Sequence, residues 1–228
     1  LVSNVTPKLI SYTIVNTYPH DIKAYTQGLE FHRDTLYEGT GNGAGNGTGI
    51  KGKSSLRKTD YKTGKVHQIV ELNDDLFGEG ITVLNNKVYQ LTWTSLIGFV
   101  YDADNLKQLK TFNYSKRIQG WGLCTDGTNL YQTDGTEKIW IMNPETFEMK
   151  DYINVYSGNN KIKALNELEW IDGKILGISL FCLKSMVTTG LFLYLMIQAV
   201  SLMKGKGMFV LPITPLELAS ALLFVSLG

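Results

Sequence analysis

The sequence predicts an all-β protein built as a β-propeller, on three observations. One phrase recurs, a small or acidic residue, an apolar residue, a short strand, a turn and an apolar pair. It reads Gly28-Leu29 to Leu36-Tyr37, Gly80-Ile81 to Val88-Tyr89, Gly122-Leu123 to Leu130-Tyr131, and Glu167-Leu168 to Ile175-Leu176. The steps between the closing positions are 52, 42 and 45 residues, a period that marks stacked four-stranded units. Within each unit apolar and polar residues alternate between clusters of turn residues, as short antiparallel strands require. An antiparallel sandwich is the alternative arrangement of such strands.

Taken in order, the first unit carries a glycine-asparagine run, Thr40 to Gly49, a surface insertion that explains its longer step. The first hairpin of each unit turns at Arg33-Asp34, Asn85-Asn86, Asp126-Gly127 and Asp172-Gly173, mostly residues that tolerate positive φ. A second hairpin turns at Asp60 to Lys65, Asp102 to Lys107 and Asn143 to Glu148, at steps of 42 and 41 residues. Residues 1–176 thus hold three complete units and the start of a fourth. A lone blade cannot bury both faces, and this number is too few to close a ring.

Composition narrows the function. The 22 basic and 21 acidic side chains balance, so no basic face argues for nucleic acid or an anionic membrane. Two cysteines, Cys124 and Cys182, define neither a disulfide framework nor a metal-ligand spacing. His20, His32 and His67 are scattered beside turn-like sequence and are expected to be solvated, so no metal is expected. Residues 177–228 differ from the rest, being apolar with a single acidic side chain, Glu217. Ser185 to Leu202 carries no charge, a length at the lower limit for a membrane-spanning helix.

Residues that open each innermost strand face the central channel. Equivalent positions there hold Gln27, Glu79, Trp121 and Glu167, with Tyr25, Phe77 and Asn166 beside them. A carboxylate flanked by Gly78 and Gly80 among aromatics is expected to be desolvated, with its pKa raised toward the range of a general acid-base. The plainer reading is that the glycines allow tight strand packing and the aromatics fill the channel. Trp93 ends an apolar strand, and Trp140 and Trp170 are expected to be packing residues.

Six motifs in order carry a family resemblance: Tyr25-Thr26-Gln27-Gly28-Leu29, Gly52 to Arg57, Phe77 to Thr82, Tyr89 to Trp93, Gly120 to Leu123, and Leu165 to Glu169. Over about residues 12–176 the chain resembles the plant-type and bacterial glutamine cyclotransferases. The resemblance implies a five-bladed propeller that cyclises N-terminal glutamine to pyroglutamate, with Glu79 as catalytic acid-base. It implies substrate contacts from Tyr25, Gln27, Phe77, Trp93, Trp121 and Asn166, and neither metal nor other cofactor. The implied partners are peptides or proteins with N-terminal glutamine, met by a monomer in an extracytoplasmic compartment, periplasmic or secreted. A non-catalytic propeller that binds peptides in its channel, membrane-tethered through 185–202, is the rival.

The chain departs from the family after Leu176. Leu180 stands where a tryptophan is expected, and the family's closing lysine has no counterpart. The sequence divides into a partial propeller, 1–176, and an anomalous segment, 177–228, read as the rest of the propeller in a shifted frame. In that frame Met196-Ile197 forces an Asp, and the residues after it permit an Asp-Pro-x-Gly turn. A membrane anchor at Ser185–Leu202 would instead leave an open sheet edge, which natural proteins avoid.

Overall fold

The computed structural model describes residues 8–10, 18–43, 51–179 and 222–226. The described residues form only strands, turns and loops, in four four-stranded antiparallel sheets and one small two-stranded ribbon. In chain order the strands are β1 (Lys8–Ile10), β2 (Tyr25–His32), β3 (Thr35–Gly41), β4 (Ser55–Thr59), β5 (Val66–Glu71) and β6 (Gly78–Leu84). There follow β7 (Lys87–Thr92), β8 (Ile97–Asp102), β9 (Gln108–Asn113), β10 (Leu123–Thr125), β11 (Leu130–Thr133) and β12 (Lys138–Met142). The last are β13 (Met149–Asn154), β14 (Tyr156–Ser157), β15 (Asn160–Lys161), β16 (Leu165–Ile171), β17 (Lys174–Ser179) and β18 (Leu222–Ser226).

Strands β2 to β5, β6 to β9 and β10 to β13 make three complete blades, each an up-and-down meander. Strands β16 and β17 open a fourth, whose sheet continues through β18 to β1. The innermost strands pack side by side, β2 on β6, β6 on β10 and β10 on β16, and no comparable packing joins β16 back to β2. The described residues therefore form part of a propeller, three blades and the inner strands of a fourth.

Local chemistry accounts for the blades. Arg33-Asp34, Asn85-Asn86 and Asp172-Gly173 all take positive φ, and their two-residue loops match the twist of the flanking strands. The second turn is built three times alike. Oδ1 of Asp60, Asp102 or Asn143 accepts N–H bonds from the second and third residues onward. The turn then needs a left-handed residue, and Gly64, Leu106 and Phe147 supply it. Leu106 and Phe147 carry a side chain into that strained region, and both are buried. Phe147 stacks on Phe112 with centroids 4.0 Å apart, contact that offsets the strain.

Apolar faces of neighbouring blades meet in continuous cores. Tyr37, Leu56, Ile81, Val88 and Tyr101 lie between the first two blades, and Leu91, Phe112, Leu123, Leu130 and Trp140 between the next two. Trp140 packs as expected, and its Nε1 donates to Asp134 Oδ2 at 2.9 Å. Trp170 stacks on Tyr131. Cys124 is a buried free thiol. Cys182, Leu180, Ser185–Leu202 and most of the Thr40–Gly49 insertion lie outside the described residues. Among the described residues no helix is long and apolar enough to cross a membrane.

One expectation is corrected. His20 is not solvated: its Nε2 meets Glu38 Oε1 at 2.7 Å, and Glu38 is 1% exposed. His32 is also half-buried, with its ring edge-on to Tyr37, and only His67 is exposed. A turn-like sequence signals chain reversal, and here the reversal folds His20 onto the end of the first blade.

Candidate active site

The candidate residues share a backbone feature. The β2–β3 register breaks between Thr26 and Gly28, the β6–β7 register between Gly78 and Ile81, and the β16–β17 register between Leu165 and Leu168. Gln27, Glu79 and Asn166 are the residues at these bulges, where strand alternation is reset and side chains are re-aimed. In the third blade the ladder starts only at Leu123. Trp121 stands just ahead of it, its N–H on Thr133 O at 3.1 Å.

Glycines set the spacing of these strands. A Cβ on Gly28 would lie 2.5 Å from Ile81 N, and one on Gly80 would lie 2.5 Å from Trp121 O. One on Gly122 would lie 2.6 Å from Glu167 Cα. Only hydrogen fits between the inner strands, so the tight-packing reading holds. It does not compete with a site, because the same close approach gathers the bulges of successive blades.

Glu79 is 6% exposed. Its backbone is held from both sides: Gly78 N–H donates to Ser54 Oγ at 3.0 Å, and Gly80 N–H donates to Trp121 O at 2.8 Å. Among the described residues its Oε2 has no hydrogen-bond partner. Burial without a compensating cation pushes its pKa well above the ordinary carboxylate value. The same cause, with repulsion from Glu169, Glu79 and Glu30, raises Glu167, the Leu29 N–H opposing it.

Phe77, two residues before Glu79, joins a row of aromatic rings. Tyr25 meets Phe77 edge-on at 6.0 Å, and Phe77 meets Trp93 at 5.7 Å. Trp93 is 42% exposed and Tyr25 39%, so both present open surface, and Trp93 is not a core residue. Three of the candidate rings have a glycine from an adjoining loop or strand end against them, Gly43 against Tyr25, Gly41 against Phe77 and Gly135 against Trp121. Trp93 is also fixed through its backbone, its N–H on Phe77 O at 3.0 Å and its carbonyl on Gly120 N–H at 2.9 Å. Asn166 is buried, its carbonyl accepting from Thr133 Oγ1 at 2.7 Å, and among the described residues its Oδ1 has no partner.

Gln119 is a residue to which the sequence alone assigns no role. Its Oε1 accepts from both Trp93 Nε1 and Trp121 Nε1, each at 2.8 Å, so one amide joins the two indoles. A signal for it was present. Gln119 stands two residues before Trp121, as Tyr25 stands before Gln27 and Phe77 before Glu79. The cleft of about 240 Å³ lined by Lys51, Lys53, Ser54, Asp74 and Leu76, among others, touches none of the candidate residues. Among the described residues no group of three or more His, Cys, Asp or Glu could hold a metal ion.

Comparison with known proteins identifies the family. A family model described as glutamine cyclotransferase matches residues 2–179. Glutaminyl-peptide cyclotransferase from Arabidopsis thaliana is 39% identical over 163 residues, 71% of this chain and 48% of the relative. The chain therefore spans about half the length of that relative. The crystal structure of glutaminyl cyclase from Myxococcus xanthus superposes with a TM-score of 0.62 at 26% identity, covering 78% of this chain and 69% of that one. With the family model matched over most of its length and the propeller arc shared, the chain belongs to the glutamine cyclotransferase family.

Proposed function

We propose that the protein is a glutaminyl-peptide cyclotransferase, acting on peptides or proteins with N-terminal glutamine. The observation that carries this reading is Glu79, a desolvated carboxylate whose Oε2 has no hydrogen-bond partner among the described residues, two residues from Phe77 and its edge-on contacts with the exposed Tyr25 and Trp93. In the reaction the α-amine attacks the γ-carboxamide carbon of the same residue. A C–N bond forms, a tetrahedral centre collapses, and the amide nitrogen leaves as ammonia. The nucleophile is already in the molecule, so the protein's work is to hold the folded side chain and move protons. Glu79 takes the proton that the amine sheds and returns it to the departing nitrogen. Burial raises its pKa above that of an ordinary carboxylate, which makes it the better proton acceptor for the first transfer.

The remaining roles follow from chemistry. Tyr25, Phe77, Trp93 and Trp121 wall the methylenes of the glutamine side chain. Gln27 bonds the polar end of the residue, and Asn166 Oδ1 is an acceptor for its amide or amine. The protein works as a monomer outside the cytoplasm. Residues 177–228 are the rest of the propeller read in a shifted frame.

Ammonia release from a peptide with N-terminal glutamine tests the proposal, with a peptide carrying N-terminal asparagine as control. Turnover of the first alone is expected. A peptide-binding propeller without catalysis is the second reading, since exposed Tyr25 and Trp93 also suit a binding surface. It predicts saturable binding, no ammonia and indifference to Glu79→Gln.

A further inference from the structure

We propose that Glu38 is a positioning residue for the substrate site, clamping Thr26 and through it the Gln27 bulge and Tyr25, with His20 as the second arm of the clamp. The inference rests on the reading of Tyr25 and Gln27 as substrate contacts. Thr26 is the last residue of β2 paired before the register breaks, opposite Thr40, and pairing resumes at Gly28 opposite Gly39. Thr26 Oγ1 donates to Glu38 Oε1 at 2.6 Å, and His20 Nε2 reaches the same oxygen at 2.7 Å. The contacts then run round the bulge and return to it. Asp21, next to His20, accepts from Arg57 Nη1 at 2.8 Å. Arg57 Nε donates to Ser55 Oγ at 2.8 Å, and Ser55 Oγ meets Thr40 Oγ1 at 2.7 Å. Thr40 is the cross-strand partner of Thr26, so the circuit closes.

Glu38, Arg57, Ser55 and Thr40 are all buried. Buried charges contribute little net stability compared with apolar packing, and their best-attested use is to fix one register. Here the register is that of a bulge, where a slip of one residue would exchange the faces of Tyr25, Thr26 and Gln27. The group is not a nucleophilic triad. Thr26 Oγ1 lies 3.4 Å from the same His20 nitrogen that meets Glu38, so the imidazole does not stand between hydroxyl and carboxylate.

The clamp couples substrate binding to pH. His20 faces Glu38, Asp21 and Arg57. Burial and Arg57 lower its pKa, but the bond and charge of Glu38, with the charge of Asp21, outweigh them and raise it above the ordinary 6.5. A histidine raised on folding contributes stability below its unfolded pKa, and that contribution fades as pH rises through the folded value. Glu79 and the substrate amine both need to lose protons, so they favour higher pH. A rise of KM toward alkaline pH therefore belongs to the clamp.

The test measures kcat and KM from about pH 5.5 to 9, where a histidine titrates, for the parent, Thr26→Val, Thr26→Ser, His20→Gln and Glu38→Gln. Thr26→Val and Glu38→Gln are expected to raise KM about tenfold, equivalent to ~1.4 kcal/mol, with a smaller change in kcat. Thr26→Ser keeps the hydroxyl and restores KM. His20→Gln keeps a neutral donor and flattens the alkaline rise of KM. Unchanged KM in Thr26→Val, or no rescue by Thr26→Ser, overturns the proposal. Two readouts need no turnover: the NMR titration of His20, and amide exchange at Gln27 and Gly28. A raised His20 pKa that falls toward the ordinary value in Glu38→Gln, with faster exchange in Thr26→Val, supports the clamp. Absence of either effect overturns it. If the parent releases no ammonia, the cyclotransferase reading is what fails, and these two readouts still decide the clamp.

Discussion

The Trp121 indole covers Gly135 so closely that a Cβ there would stand 2.6 Å from its Cζ2 atom. Gly135 also has φ +78°, a conformation that an L side chain adopts at a cost. Gly135→Ala therefore meets two penalties, and the indole is the part able to move. The variant is expected to lose about 1–2 kcal/mol of stability and to raise KM for a glutaminyl peptide more than it lowers kcat. Thermal unfolding and steady-state kinetics check both. A normal KM would place Trp121 outside the substrate contacts.

Gln119 makes the two indoles one unit, since its Oε1 takes both Nε1 protons. Gln119→Leu removes the acceptor at similar volume. The exposed Trp93 N–H can turn to water, while the half-buried Trp121 N–H is left short of a partner, at about 1–3 kcal/mol. KM is expected to rise by about tenfold or more, and Gln119→Glu, which keeps an acceptor, to recover most of the loss. Equal KM values in the two variants would show that the shared bond does not set the site.

Glu79 carries opposite expectations for activity and stability. Glu79→Gln cannot take a proton from the amine, so turnover should fall by about 10²–10⁴-fold, with peptide binding kept. Its folded pKa is raised above the ordinary 4.5, so between those values the native state holds more protons than the unfolded state, and stability falls as pH rises. At neutral pH the Gln variant, free of that cost, should be the more stable protein. Unfolding followed across the acid to neutral range measures the slope. An unchanged slope would mean that Glu79 is not desolvated in solution.

Gly122 tests the arc itself. Its Cβ would press on Asn166 O and on Glu167 Cα, all backbone, so no side chain can rotate away. Gly122→Ala should cost about 1–3 kcal/mol, or several degrees in Tm, and should disturb Asn166. Gly177→Ala is the control, because its Cβ would meet only the flexible Leu168 Cδ2 at 3.2 Å. Similar losses in both would remove the close packing of inner strands as the cause.

Sequence made the blades legible because their turns are local chemistry. Asn85-Asn86 and Asp60 dictate their own conformations within a few residues. Aligning the repeated phrase also placed Gln27, Glu79 and Trp121 at one level, since equivalent strand positions share a height in a propeller. The bulges were not legible, because a register break depends on how the partner strand is bonded. Gln119 and Glu38 escaped for a related reason. Their roles lie in contacts between strands and across blades, 26 residues apart for Trp93 and Gln119 and 18 for His20 and Glu38. His20 was misread because a loop sequence does not say what the loop is folded against.

The segment after Leu176 supports the last prediction. The family resemblance implies a tryptophan at the place of Leu180 and a later closing lysine, and the proposed frame shift accounts for the departure after Leu176. A lysine placed over the site would favour the ionised form of Glu79 and supply a charge-assisted bond, worth about 1.5–3 kcal/mol. Restoring the shifted frame is therefore expected to raise kcat/KM for ammonia release by at least about tenfold. The Glu79 pKa, read from the acid limb of that rate, should fall relative to this chain. Side-by-side assays of the two chains decide it. Equal activity would mean that the site on the four described inner strands works without the lysine, and stop codons in the shifted frame would end the frame reading before any protein is made.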